Sequence, residues 1–371
     1  MSRLLLILLL SVSLSAPIFS QNADCEQTLN LAAAEFEAGR FYGLPSILKS
    51  CLEKGFSQEQ KVRAYLLLTQ VYLILDDPLA AEGSYLKLLQ ADPEYVANPA
   101  HDPIDVYYLS KKFTATPILT PHFQLGLNTS LQRVIYDNNT SSTPNQVATS
   151  KIFKLGYQLG GGLDWNITNR WSIGVGAAFS NKNFKTIVDD KNLYNRLTAV
   201  EKQSWFDFPV VLKYSADSGK IRPFFYGGLA ANLLVGAKVT LDMNHQIDFT
   251  QNSAGTQQVS QGPDAVIINK RDFFNRSFVL GGGAKYKIGK NFLYVDVCYM
   301  AGLTNLTKNI YRASDGKFDP LLAQYGYASN SFRLDNVSIS FGYIKPLYDP
   351  RKKKRVVRSL LEKVGLKKVS K

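Results

Sequence analysis

Three aspartates and three lysines fall at alternating positions of extended-looking segments: Asp164, Asp207 and Asp296 with Lys154, Lys213 and Lys285. Carboxylates beside ammonium groups can do acid–base chemistry where a substrate reaches them. They can also simply pair with one another, as polar side chains do when they fill a narrow barrel. The second reading is the expected one, with Asp164, Asp207 and Asp296 meeting Lys154, Lys213 or Lys285. Histidine is scarce: the chain has His101, His122 and His245, and only His122 lies in a candidate strand. No Ser-His-Asp arrangement or HExxH stretch accompanies it, so no catalytic, cofactor or metal residue is assigned and no enzyme activity is expected. Gly160-Gly161-Gly162 and Gly281-Gly282-Gly283 lie inside strands, not between a strand and a helix. That is the wrong place for a phosphate cradle; relief of crowding or bending of the strand fits better.

The charge is concentrated at one end. The 371 residues carry a formal net charge of +13, but Arg351–Lys371 alone holds ten basic residues against Glu362. The pI therefore reports a basic tail and not a nucleic-acid-binding body. Lys352, Lys353, Lys354, Arg355, Arg358, Lys367 and Lys368 flank a helical face of Val356, Val357, Leu360, Leu361 and Val364. Such a segment could lie on an anionic membrane surface or bind an acidic partner. With 45% hydrophobic and 20% charged residues, disorder and collagen-like order are excluded.

The other end sets the compartment. Arg3 followed by the apolar run Leu4–Leu14 and small residues to Ser20 reads as a secretory signal peptide over residues 1–20. Export permits disulfides, and Cys25 and Cys51 share one small region; a bridge between them is expected, two buried thiols being the alternative.

From Cys25 to about Phe113 the apolar residues recur at helical spacing. Helices are expected at Cys25–Arg40, Leu44–Lys54, Ser57–Leu75, Leu79–Ala91 and Pro103–Lys112, with Ser57 and Gln60 as a capping box and Asp76-Asp77-Pro78 as a break. The second helical pair resembles a tetratricopeptide repeat, with Tyr65, Leu68, Tyr72, Ala81, Tyr85, Leu88 and Pro93 on its packing positions. Ala81 would sit where two helices cross closely. The chemistry of such a domain, 21–116, is packing and protein contact.

After Pro117 the period changes to two, as in Leu155, Tyr157 and Leu159 against Lys154, Gln158 and Gly160. Eight strands are expected: Pro121–Val134, Ile152–Ile167, Trp171–Lys185, Ser204–Tyr214, Ile221–Val239, Phe273–Ile288, Phe292–Asn305 and Phe332–Leu347. Each is long enough to cross a bilayer. Thr168–Arg170, Ser215–Lys220 and Gly289–Asn291 are tight turns, whereas the other links are long, among them Lys182–Gln203, Leu241–Asp272 and Leu306–Ser331. Short turns on one rim and long loops on the other mark an outer-membrane barrel, and an even strand count returns both chain ends to the short-turn, periplasmic rim.

Trp205-Phe206-Asp207-Phe208-Pro209-Val210-Val211-Leu212-Lys213-Tyr214 and Arg222-Pro223-Phe224-Phe225-Tyr226-Gly227-Gly228 resemble the fourth and fifth strands of the porin-like outer-membrane β-barrel domain family, the PorT-like eight-stranded barrels. The resemblance implies fold and membrane, not an activity. The expected fold is thus α plus membrane β: a tetratricopeptide-like helical domain, then an eight-stranded antiparallel transmembrane β-barrel over 117–348, then a basic periplasmic tail at 349–371. The expected role is an anchor or scaffold in the outer membrane of a Gram-negative bacterium, in contact with lipid and with periplasmic or membrane protein partners but not nucleic acid. Transport through the barrel and adhesion through the long loops are the alternatives.

Overall fold

A computed structural model describes residues 19–136, 147–190, 195–247, 256–308, 327 and 330–353. Of the segment 1–20 expected to be a signal peptide, residues 1–18 lie outside them. The chain divides into two compact units, one joining the amino-terminal part to the segment from Tyr348 onward, the other spanning Ile118–Leu347.

The first unit holds five helices: α1 (Phe19–Glu37), α2 (Leu44–Lys54), α3 (Gln58–Ile74), α4 (Pro78–Ala91) and α5 (Ile104–Ser110). Local chemistry explains the boundaries. Ser57 and Gln60 form a reciprocal capping box at the start of α3, which satisfies two helix-end donors. Asp76 takes a positive φ of 53°, Asp77 caps α4 by accepting from the Ala80 N–H, and Pro78 opens that helix. Cys25 and Cys51 form a disulfide joining α1 to α2. Around it pack Leu29, Leu44, Leu48, Ala64 and Leu68, while Ala81, Tyr85, Leu88, Val106, Leu109 and Phe113 make a second core. Tyr65 and Tyr72, half-buried, touch both.

This unit also contains two strands of two residues each, β1 (Phe113–Thr114) and β12 (Arg351–Lys352), which pair antiparallel. The first residues of the basic tail are therefore part of the helical unit's structure. Lys353 donates its backbone N–H to the Lys112 carbonyl at 2.7 Å.

The second unit is a large antiparallel sheet of ten strands: β2 (Leu119–Tyr136), β3 (Val147–Phe153), β4 (Leu155–Asn166), β5 (Trp171–Asp190), β6 (Asn195–Ser215), β7 (Ile221–Ile247), β8 (Thr256–Val266), β9 (Phe274–Ile288), β10 (Asn291–Gly302) and β11 (Ser331–Ile344). Hydrogen bonding follows the order β4, β2, β11, β10, β9, β7, β6, and β5 pairs with both β4 and β6. The tight turns fall where expected. The expected loop Lys182–Gln203, however, is mostly a ladder, since β5 and β6 pair from Asn181↔Ser204 out to Asp190↔Asn195. Leu241–Asp272 likewise contains the end of β7 and all of β8. Leu306–Ser331 lies largely outside the described residues.

Burial in the sheet is inverted relative to a water-soluble one. On β4, Gly156, Gln158 and Asp164 are buried while Leu155, Tyr157, Leu159, Leu163 and Trp165 are exposed, as expected for strands with apolar faces toward lipid. Four strands place outward aromatics eight residues apart: Tyr157 and Trp165 on β4, Phe179 and Trp171 on β5, Phe206 and Tyr214 on β6, Phe278 and Tyr286 on β9. Eight residues span about 26 Å of strand; a tilt of ~40° reduces this to about 20 Å, close to the ~25 Å apolar band between aromatic girdles. The central glycines allow close strand approach: a Cβ at Gly281 would collide with the Tyr226 ring, and one at Gly283 with the Val295 carbonyl.

Candidate functional site

The inward face of the sheet is polar and densely paired. Near the short-turn rim, Lys213 Nζ donates to Asp164 Oδ2 at 2.7 Å, and His122 Nδ1 lies 3.9 Å from the same oxygen. Tyr294 donates its hydroxyl to Gln124 at 3.0 Å, and Arg222 stacks 4.9 Å from the Phe292 ring centre. Further along the strands, Asp207, 1% exposed, accepts from Lys182 Nζ at 2.9 Å, Ser180 Oγ at 2.6 Å and Asn232. Asn232 in turn accepts from Ser277 at 2.6 Å, and Tyr226 donates to Asp296.

Toward the long hairpins the interior becomes apolar. Phe184, Leu197, Trp205, Leu234, Val239, Leu241, Ile267, Leu306, Phe332 and Leu334 form one buried cluster. Within it Arg271 reaches Glu201 through two hydrogen bonds of 2.7 and 2.8 Å, each residue being 2% exposed. Gln203 bridges the pair to the Trp205 indole N–H, and the Arg271 guanidinium lies 5.1 Å from the Phe332 ring centre. Burying two charges is costly unless their geometry and remaining hydrogen bonds are satisfied. The bidentate fork meets that condition.

Of the six residues expected to form the interior network, Asp164 and Lys213 meet directly. Asp207 pairs with Lys182, which falls where the expected strand Trp171–Lys185 and the expected loop Lys182–Gln203 overlap and is not among the six. Asp296 is held by Tyr226. Lys285 sits half-buried, 5.4 Å from the Phe292 ring centre, and Lys154 is exposed at the break between β3 and β4. Glu201 and Arg271 are missed altogether. A signal for Glu201 exists: Asp207, Trp205, Gln203 and Glu201 continue one unbroken alternation, all buried, with Phe206, Lys202 and Phe208 facing out. Among the described residues, no three His, Cys, Asp or Glu side chains come together in a way that could hold a metal.

In the helical unit, Leu68, Ala81, Tyr85 and Leu88 are buried, and Pro93 follows the end of α4 half-buried. Glu26 on α1 accepts from Gln60 and Arg63 on α3, and those hydrogen bonds hold its carboxyl below the usual range. Lys352 reaches Glu82 of α4 at 2.7 and 2.9 Å, Lys112 lies 3.5 Å from Glu82, and Tyr348 donates to Glu94 at 3.1 Å. Lys354, Arg355, Arg358, Lys367 and Lys368 lie outside the described residues.

Inverted burial, paired aromatic bands and a polar interior belong to a membrane sheet, and residues 111–308 match the outer membrane protein beta-barrel domain. The chain belongs to that family. Membership locates it in the outer membrane. Among solved structures, this outer membrane protein is similar to OprG from Pseudomonas aeruginosa, with 12% identity, 64% of this chain and 99% of that chain covered and a TM-score of 0.33. It is also similar to Neisserial surface protein A, with 8% identity, 62% and 97% coverage and a TM-score of 0.27. A third likeness is to Ail, the attachment invasion locus protein of Yersinia pestis, at 10% identity, 61% and 97% coverage and a TM-score of 0.25. No curated protein matches the chain.

Proposed function

We propose that the chain is an outer-membrane anchor and scaffold, in which an eight-stranded barrel carries a tetratricopeptide-like, protein-binding helical domain in the periplasm, in the service of envelope assembly or protein secretion. Closure is supported by the pairing: β2, β4, β5, β6, β7, β9, β10 and β11 each have hydrogen-bonded neighbours on both sides. The periplasmic assignment rests on the short turns, which bacterial barrels keep on that side, and on the pairing of β2 with β11 and β4, which brings both ends of the sheet to the short-turn rim.

The observation that carries the reading is the filled interior. Trp205, Arg271, Phe332 and Leu241 occupy the space a solute would need, and eight strands enclose little beyond their own side chains. A filled barrel is an anchor, which leaves the helical unit as the part available to partners. Stacked helical pairs present extended surfaces for that purpose. Adhesion is the second reading, favoured by the β5–β6 and β7–β8 hairpins, which extend well past the aromatic bands.

Crosslinking in native membranes tests the assignment. Deleting Cys25–Phe113 should leave a chain that still inserts but loses its crosslinked partners. An unchanged partner profile would shift the role to the hairpins.

A further inference from the structure

The outward face of the long hairpins sets lysines against one another. Lys202 on β6 stands directly opposite Lys238 on β7, and both are exposed, on the face away from the buried Glu201, Gln203, Ala237 and Val239. Directly opposed side chains have Cβ atoms about 4.5–5.5 Å apart, where like charges destabilise a ladder. Lys185 on β5, half-buried, shares that face. It lies two residues past Asn183, the ladder partner of Lys202, a diagonal of ~7–8 Å. Three adjacent strands thus contribute one ammonium group each to a single patch.

Among the described residues none of the three forms an ion pair. Asp264 on β8, diagonal to Lys238, accepts from Thr240 Oγ1 at 2.6 Å instead. Arg133 and Arg333 are likewise opposed across β2 and β11, but there Asp335 accepts from Arg133 at 3.1 Å. The lysine patch is left for an external anion, and its height selects which. Lys202 lies four residues past Phe206, whose ring centre is 5.5 Å from that of Phe179 in the outward aromatic band. Four residues are about 13 Å of strand, or ~10 Å along the membrane normal at a tilt of ~40°. A headgroup layer is ~5–8 Å deep, and a lysine stem reaches back toward it along apolar surface. On the other side of the aromatic rings the same strands expose Val175, Val210, Leu212 and Leu229.

We infer that Lys185, Lys202 and Lys238 form a binding site for the phosphate groups of a lipid in the outer leaflet, whose acyl chains lie on the apolar strip beyond Phe179 and Phe206. This rests on the orientation proposed above, in which the long hairpins face outward. A soluble polyanion would satisfy the charges alone. Lipid is favoured because the charged patch adjoins the apolar strip: an amphiphile covers both, and a soluble anion covers one.

Native mass spectrometry of the full chain in detergent, titrated with diphosphorylated lipid A, tests the site. Lys202→Gln with Lys238→Gln should weaken binding about 25-fold, ~5-fold for each lysine beside an anionic lipid. Lys238→Glu turns the opposed pair into an attractive one, so the ladder is not at risk, and it should weaken binding at least as far. Lys220→Gln with Lys345→Gln removes equal charge at the short-turn rim and should change nothing. Undiminished binding in both patch variants would overturn the inference, as would an equal loss in the rim variant. Inorganic pyrophosphate or a sulfated oligosaccharide bound as tightly as lipid A would also overturn it, because a soluble anion would then suffice. Heat-modifiable mobility of each sample reports the folded barrel, and labelling of Lys202→Cys by an impermeant maleimide on intact cells reports orientation. Failure of the lipid site and failure of the membrane reading are therefore distinguishable.

Discussion

Glu201 and Arg271 sit among Phe332, Trp205 and Leu241, and each is the other's buried counter-charge. Arg271→Ala strands a buried carboxylate and should cost about 3–5 kcal/mol; urea unfolding followed by gel mobility measures it. Replacing both, Arg271→Met with Glu201→Leu, should recover most of that loss, since well-packed apolar residues often substitute for a buried pair without penalty. If the double variant is as unstable as the single one, the pair does more than fill and specify the interior. Reducing the Cys25–Cys51 bridge should lower the stability of the helical unit by roughly 3 kcal/mol, the size expected for a loop of this order. Thermal unfolding with and without reductant is the check. The Asp164–Lys213 pair is legible in the sequence because both residues lie on strands with strict alternation. The Asp207–Lys182 pair is not, because Asn181, Lys182, Asn183 and Lys185 are all polar, so at the end of the expected strand Trp171–Lys185 no alternation shows which of them faces inward.

At the level of elements, the helices follow their local signals closely. The capping box at Ser57 and the Asp77-Pro78 start of α4 are short-range chemistry and stand in the sequence. Ala81 is fully buried, and Ala81→Leu should cost about 1–3 kcal/mol through overpacking, read from the melting of the intact chain. The β1–β12 pair could not be foreseen: two residues at Phe113–Thr114 and two at Arg351–Lys352 carry no periodicity, and what joins them is a contact between distant parts of the chain. That contact should respond to pH. The Lys352 hydrogen bond, with Lys352 and Lys112 charges behind it, holds the Glu82 carboxyl below its usual range. A lowered folded-state pKa gives stabilisation that is complete above the ordinary value of ~4.3 and is lost as pH falls through the lowered one. The protection factors of the Phe113 and Thr114 amides, taken relative to the intrinsic exchange rate at each pH, should therefore fall on acidification, and Glu82→Gln should abolish that dependence. Exchange that stays pH-independent relative to neighbouring amides in the parent chain would remove Glu82 from the role.

For the molecule as a whole, the change of period near Pro117 is the strongest feature of the sequence, and it marks the boundary between the two compact units. Alternation of apolar and polar residues cannot by itself say which face meets water. The outward aromatics, eight residues apart on four strands, resolve that, because a soluble sheet has no reason to repeat large exposed rings at the thickness of an apolar layer. The long hairpins and the apolar seal inside them are beyond sequence reading, since their inward residues come from β5, β6, β7 and β11 together. Whether the proposed barrel anchors or conducts is read most directly as the current through purified protein in planar bilayers. The filled interior predicts no steady opening of general-porin size in the full-length chain. Stable, large, ion-selective openings in that chain would contradict the account and make it a transport protein.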